Sequence, residues 1–106
     1  MVINIKFTNI KSDQTIIEYV EQKLNNIYKF IEKFDLEGAV KAHVELGHST
    51  QHHQKGKVFR AEVNLVLPHK TLRAEHEGYD LREAIDLMKD KLERKAIKYK
   101  ERGANG

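Results

Sequence analysis

The spacing of the apolar residues along this 106-residue chain changes three times, and this change constrains the fold more than any other feature. Apolar and polar residues alternate over positions 2–7, apolar residues recur every three or four positions over 16–34, alternation returns over 40–46, 59–67 and 72–74, and the longer spacing returns over 85–99. Alternation is the period of a strand, and spacings of three and four are those of a helix. The sequence therefore predicts an α+β fold, a single domain of order β-α-β-β-β-α. Two helices are expected on one face of a four-stranded, mainly antiparallel sheet.

Residues at the ends of the predicted elements favour capping or termination. Ser12 is placed to cap the first helix, and Gly38 is placed to end it. Pro68 is expected to end the third strand because it has no N–H to donate to a neighbouring strand. Asp80 and Glu83 form the D-x-x-E pattern of a capping box and predict the start of the last helix.

Composition restricts the class of protein. A chain that is 40% hydrophobic and 33% charged is typical of a globular domain with one core, predicted here over residues 1–102 and followed by a frayed tail at 103–106. It has no apolar run of the roughly 20 residues that cross a membrane, no secretory signal pattern and no Cys. We therefore expect a cytoplasmic protein without a membrane partner, a disulfide or a thiolate metal site.

The small net charge of +3 conceals a segregated distribution. Residues 55–73 hold 5 Lys and Arg against 1 Asp and Glu, residues 74–88 hold 1 against 5, and residues 89–106 hold 7 against 3. On the last helix, one flank of the apolar face carries the basic residues Lys91, Arg94, Lys95, Lys98 and Arg102, and acidic residues collect on the opposite side. A helix that is only solvated would intersperse its charges, so this pattern favours a surface that follows a phosphate backbone.

A second group of basic residues falls on the third and fourth strands and their flanking turns: Lys55, Lys57, Arg60, Lys70 and Arg73. Because these strands can pair as a hairpin, Arg60 and Arg73 are expected to face one ligand together from the side away from the core. Aromatic residues that could stack on bases are few on this surface. Recognition of folded RNA by its shape and phosphates is therefore favoured over binding of single strands.

Catalytic and metal-binding interpretations have little support. The chain has neither a glycine-rich nucleotide-binding motif nor the ligand spacing of a zinc site. His48, His52 and His53 share a polar segment, which is more typical of a loop that adds partial positive charge near phosphates. Glu75 and Glu77 share a strand face and are best interpreted as a solvated edge. We therefore predict no enzymatic activity, metal, cofactor or small-molecule substrate.

Four segments, in their order and spacing, resemble the ribosome hibernation promoting factor family, which includes ribosome-associated inhibitor A. Members of this family were earlier labelled sigma-factor modulation proteins. They are K-G-x-x-F-x-A-E-V from Lys55, L-R-A-E from Leu72, the Asp80 cap followed by A-I-D, and D-K-L-E-R from Asp90 followed by K-x-K. The resemblance covers nearly the whole chain and implies the same topology. It also implies binding to the small ribosomal subunit and its ribosomal RNA, in the channel of messenger and transfer RNA. Translation by idle ribosomes would thereby be inhibited under stress, without catalysis.

By matching position, the resemblance implies that Lys91, Arg94 and Lys98 contact phosphates of ribosomal RNA. The next candidates for such contacts are Lys55, Lys57 and Arg73, and Lys95 follows them. The chain departs from the family where Leu81-Arg82 follows Asp80 and where Lys95 replaces a common Gln. Long members also carry a second domain that pairs ribosomes. The sequence fits either a short-type factor or the N-terminal domain of a long one, so pairing of ribosomes stays open. The domain is expected to be a monomer off the ribosome. Two alternatives remain, a general double-stranded RNA-binding module and a protein-interaction modulator of transcription.

Overall fold

The structure, a computed structural model, describes residues 1–48 and 58–105. Its strands are β1 (Val2–Thr8), β2 (Lys41–His48), β3 (Phe59–Leu67) and β4 (Lys70–Gly78), and its helices are α1 (Gln14–Ile31) and α2 (Leu81–Asn105). The strand order is β1-β2-β3-β4, in which β1 pairs parallel with β2 and the other two pairs are antiparallel. The predicted α+β fold, its element order and its mainly antiparallel sheet are confirmed.

The core lies between one face of the sheet and the two helices. In β3, for example, alternate residues are buried: Ala61, Val63, Leu65 and Leu67. Helix α1 buries Ile16, Val20, Leu24, Ile27 and Ile31. Helix α2 buries Ala84, Ile85, Met88, Leu92 and Ala96. Helix α2 packs against β3 and β4, and α1 packs beside α2, so both predicted helical stripes face the same side of the sheet.

The capping residue of α1 differs from the prediction, whereas that of α2 agrees with it. Ser12 is not the N-cap of α1; the cap is Asp13, whose carboxylate accepts a hydrogen bond from the N–H of Thr15 at 2.9 Å. The chain becomes helical one residue later than the prediction assumed, and only the side chain directly before the helix reaches these N–H groups. At the start of α2, the Asp80 carboxylate accepts a hydrogen bond from the N–H of Arg82 at 3.1 Å.

The C-terminal ends of both helices also differ from the expected boundaries. Helix α1 ends at Ile31 and does not continue towards Gly38 as predicted. Two short 3-10 turns, Glu32–Phe34 and Leu36–Gly38, follow it, and the backbone reaches Gly38 with φ at 68°, which no α-helix can contain. Helix α2 continues through residues 103–105, which were assigned to a frayed tail.

Asp35 holds the connection between α1 and β2. Its carboxylate accepts hydrogen bonds from the Tyr28 hydroxyl at 2.5 Å, the N–H of Val40 at 2.8 Å and the α-amino group of Met1 at 3.0 Å. The Asp35 side chain is only 3% exposed. These hydrogen bonds, that from Tyr28 first, lower the pKa of Asp35 to about 2, and the same contact raises the pKa of Tyr28 to about 12. One carboxylate therefore fixes the beginnings of β1 and β2 against α1.

Gly47 permits the close approach of the two parallel strands. The register places Gly47 opposite Thr8, and a Cβ atom at Gly47 would lie 2.5 Å from the carbonyl oxygen of Thr8. By contrast, a Cβ atom at Gly78 would have its nearest neighbour, the carbonyl oxygen of Asp80, at 3.9 Å. Backbone contact therefore requires glycine at position 47 and leaves room for a side chain at position 78.

Candidate nucleic-acid interface

The basic flank of α2 lies beside the outer edge of β4. Because β4 is the last strand in the described sheet, no strand pairs with that edge. Between the edge and α2 is an open cavity of about 560 Å³, lined by Arg73, Ala74, Glu75, Lys91, Arg94, Lys95 and Lys98. A second cavity of about 200 Å³ continues it and adds Lys70, Thr71, Leu72, Tyr99 and Arg102. We call the two cavities together the β4–α2 groove.

Two lysines of α2 reach the backbone of β4. The Nζ atom of Lys91 donates a hydrogen bond to the carbonyl oxygen of Glu75 at 2.9 Å, and Nζ of Lys95 donates one to the carbonyl oxygen of Arg73. An ammonium group has three N–H donors, so each lysine keeps two donors that can bind a phosphate oxygen. These contacts hold both ammonium groups along the wall of the groove.

The acidic flank of α2 does not line the groove, and one of its residues, Asp86, contacts α1. The Asp86 carboxylate accepts a hydrogen bond from the Tyr19 hydroxyl at 2.5 Å and lies 3.5 Å from Nζ of Lys23. The hydrogen bond to Asp86 raises the pKa of Tyr19 above its ordinary value. Further along the helix, Lys89 and Glu93 form an i,i+4 ion pair at 3.2 Å. The segregation of charge on α2 therefore separates a surface that packs on α1 from a surface that faces the groove.

Arg60 and Arg73 lie together beside β3 and β4 on the uncovered face of the sheet, as the predicted hairpin required. Nη2 of Arg60 lies 2.6 Å from a carboxylate oxygen of Glu62 and also contacts Glu75. Nη2 of Arg73 lies 3.1 Å from Glu62 and 3.3 Å from Glu75. Hydrogen bonds from Arg60 and then from Arg73 hold the pKa of Glu75 below its ordinary value. The four formal charges sum to zero, so this cluster attracts phosphate less than the groove does.

The sequence predicted Glu75 only as part of a solvated strand edge and gave Glu62 no role, whereas both carboxylates pair with the arginines. The spacing along each strand could have indicated these ion pairs. Arg60 and Glu62 are two residues apart on one strand, and Arg73 and Glu75 are two residues apart on the next. Residues two apart on a strand share a face. Tyr79, in the short connection that follows β4 and precedes α2, was not considered as a contact, and its side chain is 72% exposed.

The structure brings most of the predicted RNA-binding residues into one place. Seven of them line the β4–α2 groove: Lys70, Arg73, Lys91, Arg94, Lys95, Lys98 and Arg102. Arg60 lies in the ion cluster on the uncovered face of the sheet. Lys55 and Lys57, together with His52 and His53, fall outside the described residues, and their role stays a prediction.

The described residues, 1–48 and 58–105, contain neither a cluster suited to a metal ion nor a helix suited to crossing a membrane. Within that part of the chain, no three His, Cys, Asp or Glu side chains gather where they could hold a metal ion. None of the helices described there is long and apolar enough to cross a membrane.

Together these features define a class, a small α+β domain with a basic groove along the edge of its sheet. The model of the family described as sigma 54 modulation protein / S30EA ribosomal protein matches residues 3–104. The chain belongs to this family, and the resemblance predicted from its residues is confirmed. The family consists of ribosome-associated factors and not of enzymes, in agreement with the expectation that this domain does not catalyse a reaction.

Two similar proteins are both named ribosome hibernation promotion factor. The chain is 37% identical over 101 residues to that of Lactococcus lactis subsp. cremoris (strain MG1363), which covers 93% of this chain and 49% of the relative. It is 36% identical over 94 residues to that of Staphylococcus aureus (strain COL), covering 89% of this chain and 45% of the relative. The chain therefore spans about half the length of the curated relatives it matches.

Two solved structures share the fold. The N-terminal domain of Protein Y from Thermus thermophilus matches with a TM-score of 0.74 and 31% identity, over 93% of this chain and 99% of that one. A ribosomal subunit interface protein from Coxiella burnetii matches with a TM-score of 0.73 over 94% of this chain and 98% of that one. Its identity of 23% makes it evidence for the fold alone.

Proposed function

We propose that this domain binds the small ribosomal subunit through the β4–α2 groove, occupies the channel of messenger and transfer RNA, and thereby inhibits translation by idle ribosomes. Membership of the family and the two relatives named ribosome hibernation promotion factor support a ribosomal partner. The observation that carries the proposal is the convergence of seven basic side chains from β4 and α2 on one groove. A cytoplasmic location is part of this proposal, because a ribosomal partner supports it.

The groove suits a phosphate backbone better than it suits a single small anion. Along α2, the basic residues run from Lys91 to Arg102, a span of about 16 Å at about 1.5 Å per residue. Neutralising several phosphates along that line releases their counterions, which favours binding without reading the bases. Because structured RNA is recognised largely by shape and phosphate position, a rigid groove with ammonium groups anchored on β4 fits that mode of binding.

Co-sedimentation of the domain with purified small subunits and whole ribosomes tests the proposal. We expect the domain to pellet with both, and we expect messenger and transfer RNA to displace it because they occupy the same channel. Tighter binding to free duplex RNA than to ribosomes would favour the general RNA-binding module instead. Binding that tolerates high salt and needs no ribosomal RNA would favour the protein-interaction modulator.

Charge-reversing variants determine whether the groove is the contact surface. Replacing Lys91, Arg94 and Lys98 with Glu should abolish pelleting, because all three line the groove and lie off the apolar face of α2. The matched control replaces Lys11, Lys29 and Lys41 with Glu, which changes the net charge equally at exposed positions outside the groove. The control variant should still bind. Equal loss in both variants would show that overall charge, and not the groove, controls binding.

A further inference from the structure

The outer edge of β4 is covered at intervals by side chains of α2. Lys91 donates to the carbonyl oxygen of Glu75, and Lys95 donates to that of Arg73. Four residues of a helix advance about 6 Å, and two residues of a strand advance about 6.7 Å. A helix that runs antiparallel to the strand therefore brings one side chain per turn to every second carbonyl. The two lysines follow this periodicity along β4.

An uncovered strand edge is a template for pairing with another chain, and lysine at the edge is one way in which proteins prevent it. In an antiparallel pair, a residue whose N–H and C=O groups point towards the neighbouring strand exchanges two hydrogen bonds with the residue opposite it. The carbonyl oxygens of Arg73 and Glu75 point outward, since they accept from lysines of α2. These are the carbonyls that an added strand would use.

We propose that the edge of β4 is a pairing surface for a second copy of this domain, and that Lys91 and Lys95 keep it closed. The sequence of β4 is suited to pairing with itself. In an antiparallel register centred on Ala74, Arg73 lies opposite Glu75 of the second copy, and Glu75 lies opposite its Arg73. Residues directly opposite have side chains on the same face, so both pairs join opposite charges. The contact is also two-fold symmetric, as a closed dimer requires.

The lysines oppose this pairing in two ways that can be separated. They occupy the two carbonyls that the second strand needs, and they place positive charge where two basic flanks of α2 would meet. Only the first effect is specific to Lys91 and Lys95, because Arg94 and Lys98 carry the same charge on the same flank of α2. The Arg94 guanidinium instead donates to the carbonyl oxygen of Asp90 in its own helix, at 3.3 Å.

The test is the mass of the double variant K91A/K95A in solution, measured by sedimentation equilibrium across a range of concentrations. We expect the mass to rise from 12.4 kDa for one chain towards twice that value, while the wild-type domain stays at one chain. The fold should be retained, because alanine favours a helix and both lysines are exposed. Far-ultraviolet circular dichroism checks that the variant is folded. The matched control R94A/K98A removes equal charge from the same flank and should stay at one chain.

Two results would overturn the proposal. If K91A/K95A remains a single chain, the edge is closed by something other than these lysines. If R94A/K98A associates as strongly, repulsion between the basic flanks and not occupation of the carbonyls prevents pairing. The single variants K91A and K95A each free one carbonyl and should associate more weakly than the double variant, which provides a second measurement.

The register is tested in the K91A/K95A background. Adding Arg73→Glu places carboxylates opposite each other and should return the protein to one chain. Adding both Arg73→Glu and Glu75→Arg restores opposite charges and should restore the dimer. A dimer that ignores both changes would have a different contact surface. No ribosome or RNA takes part in these measurements, so their outcome is independent of the proposed function.

Discussion

Binding to the small subunit should weaken steeply as salt is added. Apart from Arg73, whose charge is balanced by two carboxylates, six basic side chains line the groove: Lys70, Lys91, Arg94, Lys95, Lys98 and Arg102. Each neutralised phosphate contributes about −0.7 to −0.9 to the slope of log K against log salt, so six contacts give about −4 to −5. A fourfold increase, from about 50 to about 200 mM KCl, should then lower the association constant about 300- to 2,000-fold.

The assay is quantitative co-sedimentation at constant magnesium over a series of KCl concentrations. The variant R94A/K98A removes two of the six contacts, so its slope should be shallower by about 1.4 to 1.8. The control K11A/K41A removes two exposed lysines outside the groove and should keep the wild-type slope. A wild-type slope near zero, or equal slopes for wild type and R94A/K98A, would refute the assignment of phosphate contacts to the groove.

Three further predictions concern the stability of the fold and are measured by urea or thermal unfolding. Replacing Asp35 with Asn should cost about 2–3 kcal/mol near neutral pH, because buried groups lose a charged hydrogen-bond partner. The pKa of Asp35 in the folded state, about 2, lies below its unfolded value of about 3.9, so this stabilisation is present above that value and is lost as the pH falls. The stabilities of the wild type and D35N should therefore converge between about pH 5 and pH 2, and a constant difference would exclude the linkage. Gly47→Ala should cost about 1–3 kcal/mol through its clash with the neighbouring strand, whereas Gly78→Ala should be nearly neutral; similar melting points for the two would contradict the close approach. Asp13→Ala should lower the melting point, whereas Ser12→Ala should leave it almost unchanged, and the reverse order would return the cap to Ser12.

The order of helices and strands could be predicted because the spacing of apolar residues within each segment indicates its type. A strand with one buried face needs apolar residues at every second position. Val63 and Leu65 of β3 follow this spacing, and both are buried. The ends of elements were harder to predict. Ser12 and Asp13 are both good caps, and the choice depends on where the chain enters the helix. Similarly, the connection after α1 is held by hydrogen bonds from Tyr28 and Val40 to Asp35, which the apolar pattern does not indicate.

The positions of the candidate site residues were predictable on both α2 and the sheet, but the net charge of the residues on the sheet was not. A flank of basic residues beside an apolar face follows from the helical period alone, whatever the helix packs against. For Arg60 and Arg73, the expected positions were correct, but their net effect depends on Glu62 and Glu75, which neutralise them. Charge balance across neighbouring strands requires the register of β3 and β4, which a count of basic residues does not contain.

Local sequence periods therefore account for the two helices, the strands and the segregated charge on α2, because each follows from neighbours within a few positions along the chain. The groove itself depends on contacts between residues far apart in sequence. Lys91 and Glu75 are 16 positions apart in the sequence, and Lys95 and Arg73 are 22 positions apart. Both hydrogen bonds depend on how α2 is rotated against the sheet. That rotation is set by burial of the whole apolar stripe against β3 and β4. Only the packed core could place the basic flank along the open edge of β4.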